Sequence, residues 1–426
     1  MKQVFCQGWE WNWIRFSLLI APILTEVAAA GLLTALIAIA KKEWKAIAAS
    51  PLNRGFGILA LWLLLVAALS PRPLDALLGT ANFIPFFFLF VIIRQAVNKP
   101  SRLRELAWVL VIPSVWVVLM GLGQIRFGWG DVPFTRWNYA PYGDPKGRMS
   151  SVFMYANLLG AYLTMILSLA MGLGISVYRS WRKEKSRKYS LQLGFLLLTI
   201  ALDSVGLFLT DSRNAWALAF GAALLFALHL GWRSIVAVFG AIAAIVSIAS
   251  WGPVPIRDGF RAIVPFAIWG RLSDEMFQDR PVATLRSTQW NFALEMTRQH
   301  PIFGRGLRNF SKMYKADTGT WMGHPHNLYL MLSAETGIVG LAIFGFLVGR
   351  VYARGIALYR VLAMKKTGGE LMVFTYLVAF GGCILFNFLD VTITEPKVNT
   401  IAWILFGSIA GVVAAGDREI TDREFL

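Results

Sequence analysis

Charge is scarce in this chain. Of its 426 residues only 15% are Asp, Glu, Lys or Arg, while 57% are hydrophobic; a soluble domain carries roughly 25% charge. That shortage excludes an ordinary soluble globular protein and predicts a polytopic membrane protein before any motif is considered. Cysteine is scarcer still. Cys6 and Cys383 are the only two, far apart and without a metal-ligand partner at short spacing, so neither a disulfide framework nor a zinc site is expected. The loops contain no His-Glu-x-x-His, no Cys pair and no Asp-x-Asp, the common ways of holding a catalytic divalent metal. A Walker A sequence is also missing, so ATP is not the expected energy source. No metal and no cofactor is therefore expected. There is no internal repeat or low-complexity tract, and the N-terminal apolar region runs into further apolar segments instead of ending as a cleavable signal peptide.

What is abundant is aromatic and apolar. Seventeen Trp and thirty Phe suit an interfacial belt and lipid-facing helices. The formal net charge of +17 has two sources: Lys and Arg in short loops, as the positive-inside rule requires, and an Arg-rich long loop that the rule does not explain. The basic residues alternate with apolar spans and form no single patch, which argues against nucleic acid as a partner.

Apolar runs predict helices near 56–71, 74–97, 104–125, 150–177, 191–209, 213–231, 234–251, 326–349, 371–389 and 398–415. Residues 9–41 would reach about 50 Å as one helix, against a hydrocarbon core of roughly 30 Å. They are therefore split into a hairpin near 9–24 and 25–41, giving about twelve spans. The densest basic run, Arg179 to Lys188, is expected in the cytoplasm. Lys41, Lys42, Lys45 and Arg54 fall on the same side when spans are counted, as do Lys99, Arg102 and Arg104, and later Arg350, Arg354, Arg360, Lys365 and Lys366. Both termini are then cytoplasmic, and loops 126–149 and 252–325 face outward. The expected fold is an all-α polytopic membrane protein in three parts: spans over 1–251, a periplasmic loop over 252–325, and the last spans with a short tail over 326–426.

The long loop, 74 residues with eight Arg and two Lys, carries the functional signal. Planar guanidinium groups bind phosphate or pyrophosphate in bidentate fashion, which Lys does less well. Within the loop, Thr284 to His300 predicts a helix, Pro301 ends it, and Gly304-Arg305-Gly306 makes a turn. Asn309 to Lys315 is expected as a short amphipathic helix lying on the membrane. His326 follows Pro325 at the start of an apolar helix, where the helix dipole favours the neutral imidazole that a general base needs; the competing reading is an interfacial His packed on Trp321 or Tyr329. His324 is its rival. Arg213 sits in a short outer turn at membrane depth, a costly place for a cation, with a plain ion pair to Asp211 as the alternative. Arg286 lies on the predicted loop helix, Arg148 precedes a span, and Arg305 is in the Gly turn. Glu335, a few turns below His326, either lines a cavity or caps a kink near Gly337.

These residues fall in recognisable strings. Gly323-His324-Pro325-His326-Asn327-Leu328-Tyr329-Leu330 followed by Ala334-Glu335-Thr336-Gly337-Ile338-Val339-Gly340 resembles the core signature of the O-antigen ligase and polymerase superfamily. So do Ser212-Arg213-Asn214-Ala215-Trp216, Arg286 with Trp290, and Pro301-Ile302-Phe303-Gly304-Arg305-Gly306. Arg148 to Gly160 looks like a further element, with Ala156 where a Pro is common. The resemblance runs from 148 to 345 and is most like the lipopolysaccharide O-antigen ligase. It implies a GT-C-like glycosyltransferase in the bacterial inner membrane, metal-independent and inverting. The donor would be O-antigen on undecaprenyl pyrophosphate and the acceptor lipid A–core oligosaccharide, with membrane lipids around the protein. His326 would be the base, Arg213 and Arg286 would bind pyrophosphate, and His324, Arg148, Arg305 and Glu335 would be additional site residues. An O-antigen polymerase of the same superfamily is the nearest alternative. A flippase or transporter of an anionic lipid is the alternative from another class, though it should show repeat symmetry or charges deep in several helices.

Overall fold

Backbone N–H and C=O groups in an apolar surrounding must be satisfied within their own segment, so long apolar runs become helices. The computed structural model describes residues 8–130, 140–277, 281–365 and 369–424, and among these all regular structure is helical. Cys6 and part of the 126–149 loop lie outside the described residues. The order is α1 (Trp9–Ile20), α2 (Thr25–Ala49), α3 (Pro51–Leu69), α4 (Pro73–Gly79), α5 (Ile84–Ala96), α6 (Pro100–Phe127), α7 (Ala156–Lys183), α8 (Arg187–Leu209), α9 (Arg213–His229) and α10 (Arg233–Trp251). The long loop then supplies α11 (Val254–Arg261), α12 (Phe266–Leu272), α13 (Arg286–Gln299) and α14 (Asn309–Thr318), before α15 (Leu328–Lys365), α16 (Glu370–Phe386) and α17 (Pro396–Glu424). Proline sits in the first turn of α3, α4, α5 and α6, where its missing N–H costs nothing.

Among the described residues eight helices are long and apolar enough to cross a membrane, counting Pro73–Ala96 as one. The remaining four expected spans correspond to helices that fall short of this. α1, α9 and α16 have 12, 17 and 17 residues, and α2 carries Glu26 together with Lys41, Lys42, Glu43 and Lys45. The N-terminal region is two helices, with the turn at 21–24.

Two boundaries differ from expectation in ways that matter. α7 begins at Ala156 and not near 150, because the buried Gln124 of α6 accepts the backbone N–H groups of Ser150 and Ser151 at 3.1 and 2.8 Å. That leaves residues 149–155 as a non-helical strap. α16 ends at Phe386 rather than 389, so Asn387 to Glu395 form a turn before α17. α15 also extends well past 349, taking Arg350, Arg354 and Arg360 into the helix.

α7 is the central element, buried along most of its length and packed against α6, α8, α9 and α16. A second aromatic cluster, with Phe56, Phe90, Trp403 and Phe406, joins α3, α5 and α17. The loop has its own small core of Ala293, Met296, Phe310 and Tyr314 closed by Ala334. α14 therefore spends its apolar face on α13 and α15, and not on a membrane surface as its pattern suggested.

Candidate active site

The loop is locked to α15 at a break in that helix. Gly337 has φ 72° and ψ 171°, a region open essentially to glycine alone. The unwound carbonyls of Ala334 and Glu335 accept the N–H groups of Arg305 and Gly306 at 2.9 and 2.8 Å, and Ile338 N–H donates to Pro301 at 2.8 Å. The indole of Trp62 on α3 donates to the Thr336 carbonyl at 2.9 Å. The approach leaves no room for a side chain. A Cβ on Gly337 would lie 1.8 Å from the Ile302 carbonyl oxygen, and one on Gly304 2.5 Å from the Glu335 carbonyl carbon. Two of the strings noted in the sequence are thus halves of one joint.

Glu335 belongs to this joint. Its carboxylate accepts the Phe310 N–H at 3.0 Å, so it satisfies the open N-terminus of α14. Arg305 contributes mainly through its backbone; its side chain reaches Gln299 at 3.2 Å and is not brought to the histidines.

From the joint α15 runs to its N-cap, Asn327, whose side chain accepts from the N–H groups of Tyr329 and Leu330 at 3.0 Å each. His326 therefore precedes the helix and is not its first residue. Its backbone is left-handed at φ 51°, an uncommon state for a non-glycine residue and one that collects at functional positions. That turn lets the His326 N–H donate to His324 Nδ1 at 3.2 Å and sets the two rings edge to face, with centroids 4.6 Å apart.

Facing both rings is Asp390, in the turn between α16 and α17. His326 Nδ1 lies 3.1 Å from its Oδ1. The same oxygen accepts Val391 N–H at 2.9 Å, and Oδ2 accepts Asn157 Nδ2 at 2.8 Å. Burial raises the Asp390 pKa, but the hydrogen bond from His326 and the interactions with the two imidazoles and Val391 N–H outweigh it and hold the carboxyl well below the usual range. An ionised carboxylate only accepts, so the hydrogen is on His326 Nδ1, and the neutral ring keeps its lone pair on Nε2. His326 is also the accessible member, its side chain 28% exposed against 1% for Asp390. A buried carboxylate thus orients an accessible imidazole, the arrangement that a general base uses.

His324 has a different character. Burial pushes its pKa down to about 4, so the ring is neutral. With Nδ1 accepting from His326 N–H, Nε2 carries the hydrogen and donates to the Tyr155 hydroxyl 3.2 Å away, which in turn points at Asp390. Burial and the Asp390 charge raise the Tyr155 phenol well above its ordinary pKa. His324, His326 and Asp390 bring their ligand atoms within 4.8 Å of one another, so the set could take a cation. The hydrogen bonds already use both His324 nitrogens and both Asp390 oxygens, however, and the arrangement is self-satisfied without one.

The arginines gather on neighbouring elements. Arg213 opens α9, and its Nη1 donates to Asp274 at 2.7 Å and to the Arg271 carbonyl. Asp211, the alternative partner offered by the sequence, accepts from Arg271 at 2.9 Å instead. Arg148 donates to the Thr210 carbonyl at 2.8 Å and to Asn157 Oδ1 at 2.7 Å. Burial lowers its pKa, and the charges of Asp211, Arg271, Asp390 and Arg213 all act on it, which places it between the two groups. Arg286 begins α13, half-buried, and its charge acts on His324 and Tyr155. Asn214 ties the start of α9 to the end of α16 by donating to the Phe386 carbonyl at 3.0 Å.

Residues 195–345, from α8 to the middle of α15, match the family model described as O-Antigen ligase. Over that segment the chain resembles the O-antigen ligase superfamily. No curated protein matches the chain. The O-antigen ligase segment contains Arg213, Arg286, the histidine pair and the Gly joint, whereas Arg148, Tyr155, Asn157 and Asp390 approach from outside it. Asp390 and Tyr155 were missed in the sequence. Asp390 was placed at the edge of an expected apolar helix and Tyr155 inside one; a lone Asp in an outer turn between apolar helices was the available signal.

Proposed function

We propose that this chain is an O-antigen ligase. It would move O-antigen polysaccharide from undecaprenyl pyrophosphate to lipid A–core oligosaccharide, at the periplasmic face of the inner membrane. The observation that supports this reading is His326, oriented by Asp390 and partly exposed, next to His324, on which the Arg286 charge acts, in a chain whose residues 195–345 match the O-antigen ligase model. In this scheme the long loop faces the periplasm, both termini are cytoplasmic, and about twelve helices span.

His326 Nε2 takes the proton from the acceptor hydroxyl. The oxygen attacks the anomeric carbon, the bond from that carbon to the pyrophosphate oxygen breaks on the opposite face, and the configuration inverts. Arg213 and Arg286 hold the departing pyrophosphate, and Arg148 adds its charge from the Asp390 side; fixed cations aimed at developing charge supply much of such a rate enhancement. The pyrophosphate ester supplies the driving force, so no nucleotide is needed. An apolar groove of about 470 Å³ between α15, α16 and α17, with Tyr329 and Asn387 among its few polar lining residues, fits the polyprenyl tail.

The test is a transfer assay with purified protein, undecaprenyl-pyrophosphate-linked glycan and lipid A–core, products resolved by gel. Glycan joined to lipid A–core supports ligase. Longer lipid-linked glycan that ignores lipid A–core identifies an O-antigen polymerase. Absence of both products removes the transferase reading in favour of a transporter.

A further inference from the structure

A polar cavity of about 480 Å³ borders His324 and Tyr155, walled by Gly79, Asn82, Arg308 and Trp321 among others. Arg148, Arg213, Arg271 and Arg286 do not line it. It touches the histidine pair at His324 and is not lined by the arginines that the scheme above gives to the donor.

Its composition is specific. Arg308 is exposed, and among the described residues its guanidinium has no hydrogen-bond or ion-pair partner. Its stem packs against Gly79, while its backbone is left-handed at φ 62°, costly for a residue with a long side chain. Arg72 and Lys312 stand near it around Asp75. The two carboxylates here are both engaged, Asp75 by Lys312 and Glu335 by the N-terminal N–H of α14. Of these charged groups Arg308, Lys312 and Glu335 line the cavity; Lys312 and Glu335 are engaged, which leaves the Arg308 guanidinium to meet a ligand. On another wall Trp321 is 57% exposed, a large amphipathic ring presented to an aqueous chamber. A cation able to grip phosphate in bidentate fashion and an open aromatic face are what a phosphorylated sugar requires.

We propose that this cavity binds the phosphate-bearing saccharide headgroup of the acceptor glycolipid, with Arg308 on the phosphate and Trp321 covering a sugar face. The acceptor hydroxyl then reaches His326 past His324 and Tyr155, while the donor pyrophosphate stays with Arg213 and Arg286. This rests on the transferase reading above.

Phosphate could come from either substrate, and the two sources give different kinetics. R308Q removes the guanidinium, its charge and its bidentate fork together, and keeps a polar, non-glycine residue at the position. It should raise the KM for phosphorylated acceptor about tenfold or more and leave the donor KM unchanged. Dephosphorylated acceptor should carry the same penalty in the wild type and no further penalty in R308Q. Trp321→Ala should raise the acceptor KM for both forms. A rise in donor KM in R308Q, or an unchanged acceptor KM in both variants, overturns the assignment. If the wild type transfers to neither form, the transferase reading fails by itself. Retention of phosphorylated against dephosphorylated glycolipid by wild type and R308Q in nanodiscs then decides the cavity's role, and equal retention overturns it.

Discussion

Replacing Asp390 by Asn tests the base through its support and leaves the base itself in place. The carboxylate accepts from His326 Nδ1 at 3.1 Å, Val391 N–H at 2.9 Å and Asn157 Nδ2 at 2.8 Å. An amide must turn one of these oxygens into a donor. If the new NH2 faces Asn157, two donors meet. Asn157 can flip only by giving up its 2.7 Å bond from Arg148. If it faces His326, Nδ1 must accept, the hydrogen moves to Nε2, and the lone pair that takes the acceptor proton is gone. The first outcome loses a charge-assisted bond of about 1.5–3 kcal/mol, roughly 10- to 150-fold in rate. The second puts the imidazole in the wrong tautomer, which costs on the order of 10⁴ in a histidine–carboxylate pair. Single-turnover transfer with donor pre-bound should therefore slow by about tenfold at least, with donor affinity retained. A rate within twofold of wild type would refute the orienting role. Loss of donor binding in step with the rate would show that Asp390 only holds the turn together.

Four other outcomes follow from the same geometry. Arg213→Lys keeps a charge but not the planar fork, so transfer should fall by about tenfold or more; full activity in a kinetic assay would remove Arg213 from the pyrophosphate site. Gly337→Ala places a Cβ against the Ile302 carbonyl at a positive φ, a cost of at least about 2–3 kcal/mol, and should lower the melting temperature of the purified protein; an unchanged transition would contradict the joint. His324 has a folded pKa of about 4, below the ordinary His value, so the unfolded chain binds more protons between those limits. Stability should accordingly be full at neutral pH and decline as pH falls from about 6.5 towards 4, by up to about 3 kcal/mol. His324→Asn should flatten that decline in a thermal-shift series, and an equally steep decline in the variant would remove His324 as its source. Asn157→Ala leaves Arg148 and Asp390 without their shared partner and should slow transfer more than it weakens donor binding; an equal loss of both would make Asn157 structural.

Much of the helical order was legible because apolar length is a local property. Among the described residues the eight helices long and apolar enough to span fall where hydropathy puts them, and the hairpin at 9–41 follows from bilayer thickness alone. The His326 and Arg213 positions were also visible, since a His after Pro at a helix start and an Arg in a short apolar-flanked turn are local features. What escaped depends on contacts between distant segments. Gln124 holds Ser150 and Ser151 out of α7, which frees Tyr155 to face His324, and nothing near residue 150 announces it. Asp390 was hidden by a helix end drawn slightly too late, because an apolar run does not say where its last hydrogen bond lies. Asp211 was the nearest acid to Arg213 in sequence, yet α12 brings Asp274 to that guanidinium and gives Asp211 to Arg271. The strings Pro301–Gly306 and Ala334–Gly340 were noticed separately, and only the close approach at Gly304 and Gly337 shows that they are one joint.

The most direct test of the central claim compares wild type with His326→Ala in one experiment with excess chelator. Undecaprenyl-pyrophosphate-linked glycan bound to the protein is measured first, and transfer to lipid A–core is measured from the same sample. The account predicts that both proteins retain donor, that the wild type transfers undiminished by chelation, and that His326→Ala transfers nothing. Transfer abolished by chelator in the wild type would make the His324–His326–Asp390 cluster a metal site. Undiminished transfer by His326→Ala would place the base elsewhere.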